Sequence, residues 1–165
     1  MSKFHTVSKE NQSIFPKSRI QSDDNEQFLK CAEEWISYYR CNAHLYINDV
    51  LELGLKPFQQ VILCSMFYND YNMYIASRGQ GKTLILGAFC CCYAILFPGV
   101  KIAVCSRTLD QSRETFQKIR EFYGDSKALQ NEIAEFGTGK QNRTITFNNG
   151  SKITIYPCSD NARGG

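Results

Sequence analysis

Several things are scarce in this chain of 165 residues, and each scarcity closes a door. No C-x-x-C pair occurs among its eight cysteines, nor any paired spacing of the kind that holds zinc, so neither a zinc module nor a thioredoxin-like redox motif is expected. The start, "MSKFHTVSKENQSIF", has no hydrophobic segment and does not resemble a secretory leader. Together these features are read as free thiols in a reducing cytoplasm. The longest apolar run, Leu84 to Phe97, falls short of the roughly 20 residues that span a bilayer, so a buried helix is expected there and no membrane partner. Only two histidines are present, His5 and His44, neither with ligand-like spacing. A net charge of +3 is too small to argue for nucleic acid, though it permits it. No internal repeat or low-complexity run is visible. With 43% apolar and 21% charged residues the composition suits one globular domain, neither disordered nor a coiled coil.

What is present is a sequence of α and β signals. Residues 1–24 carry no sustained period and are read as a flexible tail. From Asn25, the spacing of Phe28, Leu29, Ala32, Trp35, Ile36 and Tyr39 predicts a helix to about Arg40, opening a helical lead-in over 25–56. The connector is expected to hold a short helix around Ile47 to Leu51. Pro57 suits the first turn of the next helix, "PFQQVILCSMFYN". "NMYIA" (72–76) reads as a buried strand, 82–96 as an apolar helix, "KIAVCS" (101–106) as a second strand and 109–123 as an amphipathic helix. A short helix is placed at 127–136. "RTITFNNGSKITIY" is a hairpin. A two-residue turn would set Ile145 opposite Thr154; a three-residue loop with Gly150 left-handed sets Ile145 opposite Ile153 and keeps one face apolar, and is preferred. Cys90-Cys91-Cys92 are taken as core, because consecutive helical positions lie about 100° apart and cannot converge on one ion. The aromatic residues at 38, 39, 46, 67, 68, 71 and 74 are likewise placed in the core.

"ASRGQGKT", Ala76 to Thr83, carries the chemistry. It fits the phosphate-loop pattern G-x-x-x-x-G-K-[ST] except for Ala76 at the first position, between an expected strand and an expected helix. Gly79 and Gly81 allow successive backbone amides of Ser77, Arg78, Gly79, Gln80 and Gly81 to turn toward one point. The helix that follows adds unpaired amides and the positive end of its dipole. Lys82 is placed to reach the β- and γ-phosphates of ATP, and Thr83 to offer its hydroxyl to Mg²⁺. Gln59, about 20 residues upstream, has an amide that can donate to and accept from the adenine edge, which favours ATP over GTP.

With these residues in order, the chain resembles the large terminase subunit of tailed bacteriophages over about residues 26–165. "LKPFQ" resembles that family's adenine-contacting segment and "ASRGQGKT" its variant phosphate loop. "KIAVCSRTLDQSRETFQKIREF" resembles the following strand and helix, and "ITFNNGSKITIYPCSDNARG" the hairpin and Arg-Gly stretch. The resemblance implies an α/β fold: a P-loop NTPase three-layer sandwich of the additional-strand, RecA- and helicase-like type. It implies an ATPase motor that drives viral double-stranded DNA into a procapsid in the bacterial host cytoplasm. A portal protein, a small terminase subunit and a homo-oligomeric ring are its implied partners. Lys82 and Arg78 then act in catalysis, Arg78 by sensing or stabilising the γ-phosphate.

No strand here ends in the acidic pair such an enzyme needs. In the family the magnesium-organising aspartate and the water-orienting glutamate lie on a later strand. Residues 57–165 are therefore expected to be the N-terminal portion of an ATPase domain, without the nuclease domain and hydrolytically incompetent alone. Two rivals stay open: a helicase-like ATPase acting on nucleic acid, and a remnant that only binds nucleotide. Sequencing the intact reading frame is expected to find, within ~20 residues, a hydrophobic strand ending in Asp-Glu.

Overall fold

The computed structural model describes residues 20–139 and 143–157. The chain divides into two units, 1–37 and 38–165. In the first, α1 (Ile20–Cys41, ending in the second unit) begins five residues before the expected Asn25 cap, so 20–24 belong to a helix and not to a tail. Its apolar residues Phe28, Leu29 and Trp35 are exposed.

The second unit holds the remaining elements. These are α2 (Ala43–Leu45) running into a π-helical turn (Tyr46–Val50), α3 (Pro57–Tyr68), α4 (Lys82–Leu96), β1 (Lys101–Ser106) and α5 (Leu109–Asp125). They are followed by α6 (Lys127–Glu132), β2 (Ile133–Thr138), β3 (Arg143–Phe147) and β4 (Lys152–Pro157). Pro57 opens α3 as expected, and α4 has the predicted limits. α5 is capped by Thr108, whose hydroxyl accepts from Gln111 N–H, and runs one residue past Gly124. The region read as one helix over 127–136 breaks at Glu132, where Ile133 starts a strand.

The sheet order is β1-β4-β3-β2, with β1 and β4 parallel and the other pairs antiparallel. Ile145 faces Ile153, Phe147 N–H donates to Ser151 O (2.9 Å), and Gly150 takes φ +84°, as the three-residue loop requires. Val104, Ile153, Ile155, Ile145 and Phe147 are buried on one face against Phe116, Ile119 and Phe122 of α5, which form the stripe the sequence predicts. Ala103, Cys105 and Tyr156, at the alternate positions, are exposed. Among the described residues the sheet thus has one covered face.

One expected strand does not form. Residues 72–76 are in no ladder, and Met73 and Ile75 are each 87% exposed. Apolar composition permits a strand, but a strand exists only with a partner for its backbone groups. β1, the edge strand, pairs with β4 alone. The aromatic residues also divide. Tyr39, Tyr46 and Phe67 join the core, whereas Tyr38, Tyr68, Tyr71 and Tyr74 are exposed. Among the described residues no helix is long and apolar enough to cross a membrane.

Cys90, Cys91 and Cys92 are all buried in the core, as expected. Loss of water pushes the Cys90 thiol up to about 12 and the other two well above the usual thiol range. Iodoacetamide at pH 8 is therefore expected to label exposed Cys31, Cys41 and Cys105 while sparing Cys90–Cys92 until the chain is unfolded, as read by peptide mass spectrometry. The linkage has a definite sign. These thiols hold their protons in the folded state at pH values where the unfolded chain, near 9, has lost them. Their contribution is complete below pH 9 and is lost as pH rises from there toward 12, so the urea midpoint is expected to fall between pH 8 and 10.5.

Candidate functional site

α4 has two unequal ends. At its C-terminus three side chains from distant parts of the chain satisfy carbonyls that the helix cannot. Arg40 Nε donates to Leu96 O (2.8 Å), Asn149 Nδ2 to Ala94 O (2.8 Å) and Ser151 Oγ to Phe97 O (3.1 Å). The Arg40 guanidinium also lies 4.9 Å from the Phe97 ring centre. At the N-terminus no side chain caps the helix. The first amides, after Gly81, are left for something else.

The approach to that end is a turn with two left-handed glycines, Gly79 (φ +82°) and Gly81 (φ +74°). Neither conformation suits a residue with a Cβ. Lys82 folds back over the turn. Its ammonium donates to Ala76 O (2.5 Å) and Ser77 O (2.9 Å), which ties the head of the helix to the beginning of the loop. Residues 77–84 line one cavity of about 460 Å³. Every predicted loop residue, Ser77, Arg78, Gly79, Gln80, Gly81, Lys82 and Thr83, is brought together there.

Gln59 lies behind the loop and not on the wall of this cavity. It is only 6% exposed. Its Oε1 accepts from Lys56 N–H (2.9 Å), closing the first turn of α3. Its Nε2 rests against Gly81, so that a Cβ at position 81 would come within 2.6 Å of it. That Nε2 donates to no group among the described residues.

Two residues the sequence reading passed over join the cavity: Glu114 and Lys118 of α5. A second cavity, about 600 Å³ along α5, shares Thr83, Glu114 and Lys118 with the first. Lys118 bridges to Glu121 (2.8 Å) and lies 5.8 Å from the Phe122 ring centre. The cue was the position of both residues beside the Phe116–Ile119–Phe122 stripe, which turns them toward whatever that stripe packs on.

No group of three or more His, Cys, Asp or Glu able to hold a metal occurs among the described residues. A cation at Thr83 would therefore need oxygens from a bound phosphate as well, the usual arrangement for Mg²⁺. The hydroxyl, the open amides and the lysine are the donor set such a complex takes. Away from the loop, His44 Nδ1 and Cys64 Sγ lie 3.1 Å apart, a pairing across 20 residues that sequence spacing did not suggest. No family model matches this chain, and no curated protein matches it.

Gly81→Ala places a Cβ at φ +74° and against Gln59 Nε2, and is expected to cost about 1–2 kcal/mol of stability in urea unfolding. In the Gln59→Ala background the steric share of that cost is expected to vanish, leaving only the backbone share.

Proposed function

We propose that the loop 77–83 and the head of α4 bind the triphosphate of ATP, and that the chain is the nucleotide-binding part of a DNA-packaging motor like the large terminase subunits it resembles. One observation supports this above others. The N-terminus of a 15-residue helix, which opens on Lys82 and follows two left-handed glycines, is left without a side-chain cap while its other end is capped three times over. Open amides at a helix head, with the dipole behind them, favour an anion.

In this reading Lys82 exchanges the Ala76 and Ser77 carbonyls for phosphate oxygens, a gain because a charge-assisted bond to an anion is stronger than one to a neutral carbonyl. Arg78, exposed on the loop, is free to reach the terminal phosphate. Gln59 recognises adenine with its unengaged Nε2 and the second lone pair of Oε1. Mg²⁺, held at Thr83, supplies charge neutralisation across the phosphates. The motor's DNA, portal and ring partners come from the resemblance and belong to the proposal.

Lys82→Ala is expected to weaken binding of a fluorescent ATP analogue by about 10- to 100-fold, the worth of one or two charge-assisted hydrogen bonds. Unaltered affinity would overturn the reading. Gln59→Ala is expected to leave GTP affinity as it was and lower ATP affinity toward it, measured by competition.

A further inference from the structure

The stem of Lys118 lies on the face of α4 that leads back to the glycine turn. Position 87 is glycine, and a Cβ there would come 3.2 Å from Phe122 Cε2, 3.5 Å from Ile119 Cγ1 and 3.9 Å from Lys118 Cγ. Gly87 is one helical turn beyond Thr83, on the same face of α4. The close approach therefore sets Lys118 beside the open head of the helix. Thr83 and Lys118 accordingly border both the cavity of about 460 Å³ at the loop and the one of about 600 Å³ along α5.

The charges on the wall of the loop cavity suit an anion. Arg78, Lys82 and Lys118 line it against one carboxylate, Glu114. These cations come from three places: the turn, the first residue of α4, and α5. The Lys118 ammonium is bonded to Glu121 (2.8 Å), the two side chains being 33% and 47% exposed. An exposed pair of this kind on one helix contributes little, and salt weakens it further. A phosphate chain with several charges competes well for an ammonium on a flexible stem. Arg113, by contrast, is bonded to Asp110 (3.1 Å) and borders the second cavity but not the first.

In the phosphate-loop reading adenine lies toward Gln59, which stands behind the turn and outside this cavity. The phosphate chain then runs away from Gln59 into the cavity. Apart from residues 77–84, the lining comes from α5, as Glu114 and Lys118. The free end of the chain is therefore met from α5, and the cation waiting there is Lys118. We propose that Lys118 is a second phosphate-binding lysine, which leaves Glu121 for the terminal phosphate of a nucleoside triphosphate and lets the site distinguish triphosphate from diphosphate. The inference rests on the phosphate-loop reading and deepens it. The exchange breaks one ion pair and makes another. It releases the Glu121 carboxylate to solvent, so α5 responds to which nucleotide is held.

The test is displacement of a fluorescent ATP analogue by ATP and by ADP. It compares the unaltered protein with Lys118→Met, the double variant Lys118→Met/Glu121→Gln, Lys82→Ala and, as a control on the same helix, Arg113→Met. Methionine keeps an apolar stem against α4 and removes the charge. The double variant also leaves the net charge unaltered. In both Lys118 variants ATP affinity is expected to fall about tenfold, the worth of one charge-assisted hydrogen bond, and ADP affinity by less than about twofold. Arg113→Met is expected to bind both nucleotides as the unaltered protein does. If the preference for ATP over ADP is the same in Lys118→Met as in the unaltered protein, while Lys82→Ala loses binding, the loop reading stands and this inference is overturned. A preference lost in Lys118→Met but recovered in the double variant belongs to the field of Glu121 and overturns it too. If Lys82→Ala binds as the unaltered protein does, both fall.

Discussion

The polar asymmetry of α4 governs the rest of the molecule. A helix leaves four amides at one end and four carbonyls at the other without partners. Here the carbonyl end is met by a guanidinium, an amide and a hydroxyl drawn from α1 and from the hairpin loop. Those contacts orient the helix, bury its three cysteines and direct its uncapped head into a cavity. The fold satisfies one pole thoroughly and keeps the other available, which is the electrostatic arrangement an anion site needs.

The packing around α4 follows from small or apolar residues at chosen places. Gly87 admits α5; Ala88, Cys91 and Cys92 give a slim buried surface with 0% exposure. The Phe67, Phe89 and Tyr93 rings meet in tilted and edge contacts on another side, with centres 5.2–5.5 Å apart. These are contacts that fix position as well as bury area. The loop therefore ends on a helix that is packed on several sides, and Lys82 spans the turn that leads into it.

Much of this was legible from residues alone where the signal was local. α4 is bounded by Gly81 and by Pro98-Gly99, and both limits fell as read. The hairpin register followed from the rule that a one-residue slip exchanges the faces, and Ile145 does oppose Ile153. The illegible parts were those set by partners. Residues 72–76 have a strand's composition but no ladder to join. β2 begins directly after α6 with a single apolar residue, Ile133, before its register shifts, too short a pattern to separate from the helix before it. α1 starts ahead of its presumed cap because an asparagine is a capping residue only where the chain stops being helical. In the site, the loop residues were found by motif. Glu114 and Lys118 were not, because their place on the cavity wall is set by how α5 packs against α4, which has no sequence spacing.

Asn149 is both the tip of the hairpin loop and a clasp on the carbonyls of Ala94 and Ile95. Its Oδ1 also accepts from Ser151 N–H (3.0 Å), so the clasp is stiffened from within the turn. A helix of 15 residues is a rod of about 22 Å. The hairpin and the glycine turn are therefore anchored at opposite ends of one straight element, so the position of either is referred to the other through the length of that rod.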